Sequence, residues 1–299
     1  MNAGRAAVAG ALVCAFAATG CGLGPGPTIG DVQLTVTRDY GTDSLLHRND
    51  SSARESDSAM RLLDRNADIS TRYGGGFVQS IDGVEGATRS GDPYDWFFYV
   101  NGVESPTGAA DYPLHGGDRV WWDYRDWGAA MRVPAVVGAF PEPFSHGYEG
   151  DAHPVKFECK GSVAACDAVS SRIAPTATRK GDGSPIRVLT GTWERVRGDD
   201  AAASIERGPS YSGVFADFVR LNGAWRLQPL DSSGDPAGRP EDAGLVAATR
   251  RGDDPPVWVV SGPDRTAVLA AARALDPADL RDRYAVAVDD GKVQPLPAR

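Results

Sequence analysis

The chain is poor in lysine and has no run of basic residues. Lysine occurs only at positions 156, 160, 180 and 292, and 31 Lys and Arg residues stand against 40 Asp and Glu residues. The net charge of the 299-residue chain is therefore −9. Nucleic-acid binding depends on a basic face, and so does electrostatic attraction to anionic lipid. The composition argues against both classes of partner.

Catalytic signatures are also missing. The sequence contains no Ser-x-x-Lys, Gly-x-Ser-x-Gly or His-Glu-x-x-His motif and no glycine-rich phosphate loop that ends in lysine. Residues 208–213 resemble a nucleophile elbow only superficially, because the strand-to-helix context is lacking. No base for a nucleophile can be assigned among the four scattered histidines, His47, His115, His146 and His153. We expect a protein that is not an enzyme and has no cofactor, with catalysis as the remaining alternative.

Established metal motifs are absent as well, since there is no Cys-x-x-Cys pair. The loop at residues 146–153 places imidazole and carboxylate donors within eight residues, but its spacing fits no known metal motif. The sequence favours a solvated interdomain loop there, and we predict no metal site.

The N-terminus predicts export and lipid attachment. Arg5 precedes an apolar stretch, residues 6–18, that is too short to span a bilayer as a permanent helix. The following Ala-Thr-Gly-Cys21 resembles a bacterial lipobox, with an ordinary signal peptide and a chance cysteine as the alternative. We predict a signal peptide and lipobox over residues 1–21, a flexible tether over residues 22–30 and lipidation of Cys21. The predicted location is the extracytoplasmic face of the cell membrane, through the lipid anchor.

Two cysteines remain after this assignment, because Cys14 leaves with the signal peptide and Cys21 is lipidated. Cys159 and Cys166 are seven residues apart in an exported chain, which favours a disulfide. A pair of buried free thiols is the alternative.

Aromatic residues concentrate in one stretch, residues 94–127. This ninth of the chain holds ten of its 25 aromatic side chains: Tyr94, Trp96, Phe97, Phe98, Tyr99, Tyr112, Trp121, Trp122, Tyr124 and Trp127. An apolar run over residues 96–100 leads into Asn101-Gly102, a pair that suits a tight turn because both residues tolerate positive φ. A second run covers residues 119–124. The pattern predicts antiparallel strands with bulky side chains on both faces.

The same residues carry a family resemblance. The pattern W-x-x-Y-V-N-G followed by G-x-x-x-Y-x-L-x-x-G-D-x-V-x-W resembles the small β-rich domain DUF4430, which is similar to the C-terminal domain of the vitamin B12 carriers transcobalamin and intrinsic factor. The matching positions are Trp96, Tyr99, Val100, Asn101, Gly102, Gly108, Tyr112, Leu114, Gly117, Asp118, Val120 and Trp122. The resemblance covers residues 32–127 and implies a corrinoid as the first candidate ligand.

The predicted fold class is α+β, with two domains. Over residues 31–128 we expect a strand at 32–38, a helix at 52–66 opened by a Ser52 capping box, and a hairpin of residues 69–73 and 77–81. A helix packed on such a sheet predicts a β-grasp-like domain. The boundary falls at residues 128–133, and residues 133–140 form an apolar run that predicts a strand.

An internal repeat organises residues 133–299. Residues 155–173 align with residues 257–275 at an offset of 102, and in each copy a short strand leads into a helix. Val163, Cys166, Val169 and Ile173 match Val268, Ala271 and Leu275 as the inward faces. Two β-α-β units predict a ferredoxin-like α+β domain, with an inserted hairpin around Asn222-Gly223.

The aromatic strands cannot bury both faces beneath one helix. Successive side chains alternate, so Trp96 and Phe98 point one way while Phe97 and Tyr99 point the other, as do Trp122 and Trp121. The second face is either a ligand surface, with carboxylates from Asp92, Asp95, Asp123 and Asp126 nearby, or an interface with the second domain. For the ligand surface we predict the binding residues Tyr94, Trp96, Asn101, Gly102, Trp122 and Trp127.

Two functions follow from these features. The first is a membrane-anchored lipoprotein that captures a small molecule, by stacking on Tyr94, Trp96 and Trp127, and assists its uptake by a membrane transporter. The second is a structural or protein-interaction lipoprotein whose aromatic face docks on a partner.

Overall fold

A computed structural model of the protein describes residues 24, 26–177, 181 and 183–299. The predicted signal peptide and the lipidation site Cys21 lie outside the described residues. The fold is mixed α+β, as the sequence predicts, and the described residues contain more strand than helix.

The first half of the chain contains nine strands and one α-helix among the described residues. The strands are β1 (Val32–Arg38), β2 (Asp43–Asp50), β3 (Ile69–Arg72), β4 (Phe77–Ile81), β5 (Val84–Glu85), β6 (Ala87–Arg89), β7 (Asp92–Val100), β8 (Val103–Glu104) and β9 (Arg119–Asp126). Helix α1 spans Ala59–Asp64, and a 3-10 turn spans Tyr73–Gly75.

The main sheet of this half has the strand order β2-β1-β9-β7-β6, and β8 also pairs with β7. Strand β1 runs parallel to β9 and antiparallel to β2, while β7 is antiparallel to β9. The predicted hairpin is present as β3 and β4, to which β5 adds a third strand. Helix α1 and β4 pack on one face of the main sheet and form a core with Leu34, Val120 and Trp122.

The helix is much shorter than predicted. It begins after Ser58, whose Oγ accepts a hydrogen bond from the Arg61 backbone N–H at 3.3 Å, and the Ser52 capping box is wrong. The reason is local competition: Ser52 donates from its backbone and hydroxyl to the Asp50 carboxylate, which makes a turn of this segment. The chain then continues through turns until Ser58.

Residues 133–140 do not form the predicted strand. Only Ala135 makes a bridge, to Val103, although most of the segment is buried. Its backbone instead bonds to both halves: Val136 N–H donates to Gly102 O at 2.8 Å, and Val137 N–H donates to Tyr284 O at 3.2 Å. An apolar run in a buried connector resembles a strand in sequence, because burial rather than pairing selects its residues.

The second half contains eight strands and six short α-helices in the described part. The strands are β10 (Val155–Lys160), β11 (Ile186–Thr192), β12 (Ala216–Leu221), β13 (Ala224–Pro229), β14 (Gly244–Thr249), β15 (Val257–Gly262), β16 (Ala285–Asp289) and β17 (Lys292–Leu296). The helices are α2 (Val163–Ile173), α3 (Trp193–Val196), α4 (Asp200–Ala203), α5 (Pro209–Ser212), α6 (Arg265–Arg273) and α7 (Pro277–Leu280).

The repeat appears as two strand-helix units in one sheet of order β10-β11-β15-β14-β16-β17. In the first unit β10 and β11 are adjacent and parallel. In the second, β14 separates β15 from β16 and is antiparallel to both. A strand therefore lies between the two strands of the second unit only, and the ferredoxin-like arrangement predicted for the repeat is not confirmed. The inserted hairpin is β12-β13.

The inward faces of the two repeat helices are largely as predicted. Val169, Ile173, Val268, Ala271 and Leu275 are buried in a common core. Val163 is the exception, at 71% exposed, because Ala165 takes the inward position in the first turn of α2. Cys159 and Cys166 form a disulfide between the end of β10 and α2, with their Cα atoms 5.8 Å apart.

The two halves share a core. Tyr40, Tyr99 and Trp121 from the first half pack with Trp193, Phe215 and Tyr284 from the second in one buried cluster. The second face of the aromatic strands therefore lies against the C-terminal half.

Candidate functional site

The two faces of β7 and β9 have different neighbours. On one face Trp96, Phe98 and Trp122 belong to the core beneath α1. On the other, the rings of Tyr99 and Trp121 lie 5.7 Å and 5.3 Å from the ring of Tyr284. The interface alternative is thus realised for the second face around Tyr99 and Trp121, and an aromatic ligand surface has to lie on the first.

The first face carries an apolar concavity of about 220 Å³, which we name the aromatic groove. It lies between the start of β4, the middle of β7 and the loop after β8. Its walls are mostly apolar and include Phe77, Val78, Trp96, Phe98, Ala109 and Trp122. A concave apolar surface of this kind suits the ring or alkyl part of a small molecule.

A second concavity adjoins the groove and is named the Tyr94 cleft. It has a volume of about 370 Å³ and is lined by Arg72, Phe77, Gln79, Tyr94, Asp95 and Trp127, among others. Phe77 lies on the wall of both concavities. Four of the six predicted ligand residues therefore line these two surfaces: Trp96 and Trp122 the groove, Tyr94 and Trp127 the cleft.

Phe77 was not identified from the sequence, although it is the most exposed aromatic wall of the groove. Its side chain is 39% exposed, and the ring of the 86% exposed Tyr73 lies 6.2 Å away in an edge-on contact. Both residues flank Gly74-Gly75-Gly76. Two large rings beside a glycine turn at a hairpin end are the signal that could have indicated an exposed aromatic pair.

The indole of Trp96 is held rigidly at the groove. Trp96 is only 5% exposed, and its Nε1–H donates to Val84 O at 2.8 Å. Its ring also packs on Tyr124 at 5.2 Å. The rings of Phe98 and Trp122 stack at 4.9 Å. These rings form a preorganised wall that offers an edge rather than a whole face to a ligand.

The comparisons with known proteins identify part of this region. Residues 56–126 match DUF4430, a domain of unknown function. The match confirms the resemblance predicted from the Trp96 to Trp122 pattern. Most of the aromatic groove, from Phe77 to Trp122, lies within the DUF4430 region.

Solved structures give a distant likeness, and eight of their chains match this protein. One is a crystal structure from Ruminococcus gnavus ATCC 29149, of a protein described as a candidate metal-binding protein. It is 14% identical with a TM-score of 0.26, and the match covers 32% of this chain and 97% of that chain. Among curated proteins there is no significant match.

Asn101 and Gly102 organise the DUF4430 region from the far end of β7. Both have positive φ, 54° and 76°, and form the predicted turn into β8. The Asn101 amide donates to Asp118 Oδ1 and Gly147 O, both at 2.9 Å, and Asn101 Oδ1 accepts from Arg119 N–H. Because the side chain is 1% exposed and fully occupied by protein contacts, its role is to fix the turn.

The carboxylates predicted beside the aromatic surface separate into two groups. Asp123 is buried and accepts a hydrogen bond from Tyr284 of the second half, while Asp126 is buried opposite Tyr94 and accepts from Gly128 N–H; Asp92 is exposed at the start of β7. Asp95 lines the Tyr94 cleft, where burial raises the pKa of its carboxyl and Arg72 opposes the shift. The Arg89 guanidinium lies 5.2 Å from the ring centre of Tyr94.

The loop at residues 146–153 is partly solvated as predicted: His146 and residues 149–151 are exposed, whereas Gly147, Tyr148 and His153 are buried. His146 Nδ1 lies 2.7 Å from Glu142 Oε1, while the ring of His153 stacks on Tyr148 at 4.2 Å. Its imidazoles thus have separate structural contacts. Among the residues that the structure describes, no group of three or more His, Cys, Asp or Glu could hold a metal ion.

No helix in the described ranges is long and apolar enough to cross a membrane.

Proposed function

We propose that this protein captures a small molecule at the aromatic groove and does not transform it. The observation that carries the proposal is Phe77, a partly exposed ring placed where two concave surfaces of the DUF4430 region meet. An exposed aromatic side chain in a concave surface is a typical anchor for a ligand ring.

The chemistry of the walls favours a ligand with both an apolar and a polar part. The groove offers the edges of Trp96 and Trp122 with the ring of Phe77, whereas the Tyr94 cleft adds Arg72 and Asp95. A corrinoid is the first candidate, because of the resemblance of this region to the B12 carriers. A groove of about 220 Å³ would hold an edge of such a macrocycle, with the remainder resting on Phe77 and the cleft.

The proposal also covers the fold and the cellular location of the protein. A mixed sheet with β1 parallel to β9 and a helix across it supports a β-grasp-like arrangement for residues 31–128. We infer that Cys21 is lipidated, that the protein is held at the extracytoplasmic face of the membrane, and that a membrane transporter receives the ligand.

A protein partner is the second candidate function. It is favoured by Tyr73, which is 86% exposed beside Phe77 at the turn of the β3-β4 hairpin. Exposed aromatic pairs of this kind are frequent anchors of protein interfaces.

The test measures thermal unfolding of the chain without its first 21 residues, with cobalamin, cobinamide or haem present. A ligand that binds only the folded state stabilises it by about 2.7 kcal/mol at a hundredfold excess over its Kd. We expect a concentration-dependent rise in Tm with one of these compounds. No shift with any of them would remove the corrinoid candidate and favour the protein partner.

The site is tested by Phe77→Ala with Phe157→Ala as the matched control. Both rings are 39% exposed, but Phe157 lies on the edge strand β10 in the other half. Loss of a stacking ring should weaken binding by about tenfold. The ring contact contributes roughly 0.5–1.5 kcal/mol, and burial of the ring surface contributes further. Equal affinities for the two variants would show that the ligand does not bind at the groove.

A further inference from the structure

A third concavity lies between the two halves of the chain and is separate from the aromatic groove. It has a volume of about 320 Å³, and we name it the polar cleft. One wall is the second face of β2, β1 and β9, and the other is made by residues 138–139 and by residues 277–282 around α7. The C-terminal half thus covers part of this sheet face and leaves its end open.

The register of the sheet places six side chains on the cleft wall in two rows. In the first row Asn49, Gln33 and Arg119 are direct neighbours across β2, β1 and β9. In the second row His47, Thr35 and Trp121 occupy the same order. Residues two apart on a strand share a face, so both rows point into the cleft. Polar groups therefore cover a face that would be apolar if the second half packed on it fully.

The charges on the cleft do not balance. Arg119 and Arg281 both line it, and neither has a carboxylate within ion-pair distance among the described residues. The carboxylate of Asp282 also lines the cleft, but it lies 3.3 Å from His47 Nε2 and is engaged there. Two guanidinium groups thus line the cleft without a direct ion pair, and the nearest carboxylates that act on them are Glu142 for Arg119 and Asp282 for Arg281.

Arg119 is held in place on the cleft wall. Its Nη1 donates to the backbone oxygens of Ala139 and Phe140 at 3.2 and 2.9 Å. Burial lowers the pKa of Arg119 and the nearby charge of Arg281 lowers it further, while Glu142 opposes both effects. The carboxylate of Glu142 is itself bonded to His146. Arg281 is exposed, and its side chain makes no hydrogen bond or ion pair with any described residue, so it is free to meet a ligand.

We propose that the polar cleft is a binding site for a small oxyanion, a carboxylate or a phosphate, which Arg119 and Arg281 hold between the two halves of the protein. Guanidinium groups bind such anions through paired, charge-assisted hydrogen bonds. Gln33, Asn49 and Thr35 supply further polar atoms, and the ring of Trp121 closes the inner wall. This site is independent of ligand capture at the aromatic groove.

The test is calorimetric titration of the protein with citrate and with inorganic phosphate at low ionic strength, where exposed charges are least screened. We expect at least one of the two anions to bind. Tighter binding of citrate would indicate a carboxylate site, and tighter binding of phosphate would indicate a phosphate site. Arg281→Gln should weaken binding by about tenfold or more, the usual effect of losing a charged hydrogen bond. Arg265→Gln removes the same charge from an exposed position outside the cleft and should leave the affinity unchanged.

A second pair of variants tests the site without touching an arginine. Gln33→Glu places a carboxylate beside Arg119 and should abolish anion binding, whereas Gln294→Glu adds the same charge at an exposed site on β17. Both variants should unfold at the temperature of the unmodified protein within a few degrees. Absence of binding by both anions, or equal affinity of Gln33→Glu and Gln294→Glu, would overturn the proposal.

Discussion

Asp123 is a fully buried carboxylate at the contact of the two halves. It accepts hydrogen bonds from Thr37 Oγ1, from the backbone N–H groups of Tyr40 and Gly41, and from the Tyr284 hydroxyl. These bonds favour the charged form, but burial outweighs them and raises the pKa of Asp123 to about 6. A side chain from the N-terminal sheet thus joins the C-terminal half through a group that titrates near neutrality.

The raised pKa of Asp123 predicts a pH dependence of stability. In the unfolded chain an aspartate has a pKa of about 4, so between about pH 4 and 6 only the folded state keeps the proton. The contribution of Asp123 to the free energy of unfolding should therefore fall as the pH rises through this window, by on the order of 2 to 3 kcal/mol. Urea unfolding at several pH values measures it.

The control for this prediction is a pair of Asp→Asn variants. Asp123→Asn should flatten the pH profile between pH 4 and 6 whatever its absolute stability, and Asp289→Asn, exposed at the end of β16, should retain the original slope. If Asp123→Asn and the unmodified protein gave parallel profiles, the raised pKa would be refuted.

Individual residues were predictable where one local rule decides their position. The alternation of Trp96, Phe98 and Tyr99 follows from strand geometry, and the Cys159–Cys166 disulfide was predicted from the spacing of two cysteines in a chain that the sequence predicts to be exported. Phe77 and Arg281 were not predictable, because their exposure depends on which distant segments fail to cover them.

At the scale of elements, the chain contains two Asn-Gly turns with the same backbone and different surroundings. Asn101 and Asn222 have φ of 54° and 49°. Asn101 is buried with three side-chain hydrogen bonds, whereas Asn222 is exposed. Gly102 is further constrained, because a Cβ there would lie 2.7 Å from Val136 O.

This pair predicts unequal costs for the same substitution. Asn222→Ala should cost about 1 kcal/mol or less, because Asn tolerates positive φ better than Ala through local hydrogen bonds of its short polar side chain. Asn101→Ala should cost about 3 to 5 kcal/mol, because it also leaves buried partners at Asp118, Gly147 and Arg119 without their hydrogen bonds. Chemical denaturation of the two variants measures the difference, and equal losses would show that Asn101 acts only through its backbone.

Elements were predicted well where alternation or a turn pair marks them, as in β1, β7, β9 and the β12-β13 hairpin. They were predicted poorly where the same residue types serve another purpose. Ser52 bonds Asp50 instead of capping a helix, and residues 133–140 are apolar because they cross between the two halves. The sequence shows which side chains avoid water, but not which backbone groups pair.

At the scale of the whole molecule, the shared core predicts a single unfolding transition. The rings of Tyr99 and Trp121 in the first half pack against the ring of Tyr284 in the second. The buried Arg125 donates to the backbone oxygens of Ala130 and Met131, in the boundary segment at residues 128–133. Separating the halves would expose these groups to water or leave them unpaired, which is costly. Neither half should therefore persist without the other.

The measurement compares urea unfolding by far-ultraviolet circular dichroism with unfolding by tryptophan fluorescence. Coincident midpoints are expected, since five of the seven tryptophans are buried and they come from both halves. Two separated transitions would show that the halves are independent in stability. The sequence could predict two compositional halves, but only the packing shows how extensively they are joined.

Contacts near the N-terminal end of the described residues limit the distance between the folded body and the predicted lipid anchor. Glu55 N–H donates to Pro27 O and Ile29 N–H donates to Ala53 O, so the chain joins the folded body well inside the tether predicted at residues 22–30. Only about six residue steps separate Cys21 from Pro27. The chain between them can therefore span at most about 20 Å. With Cys21 lipidated, the folded body would lie close to the bilayer. The proposed ligand could then be transferred only to a transporter whose entrance is near the membrane surface.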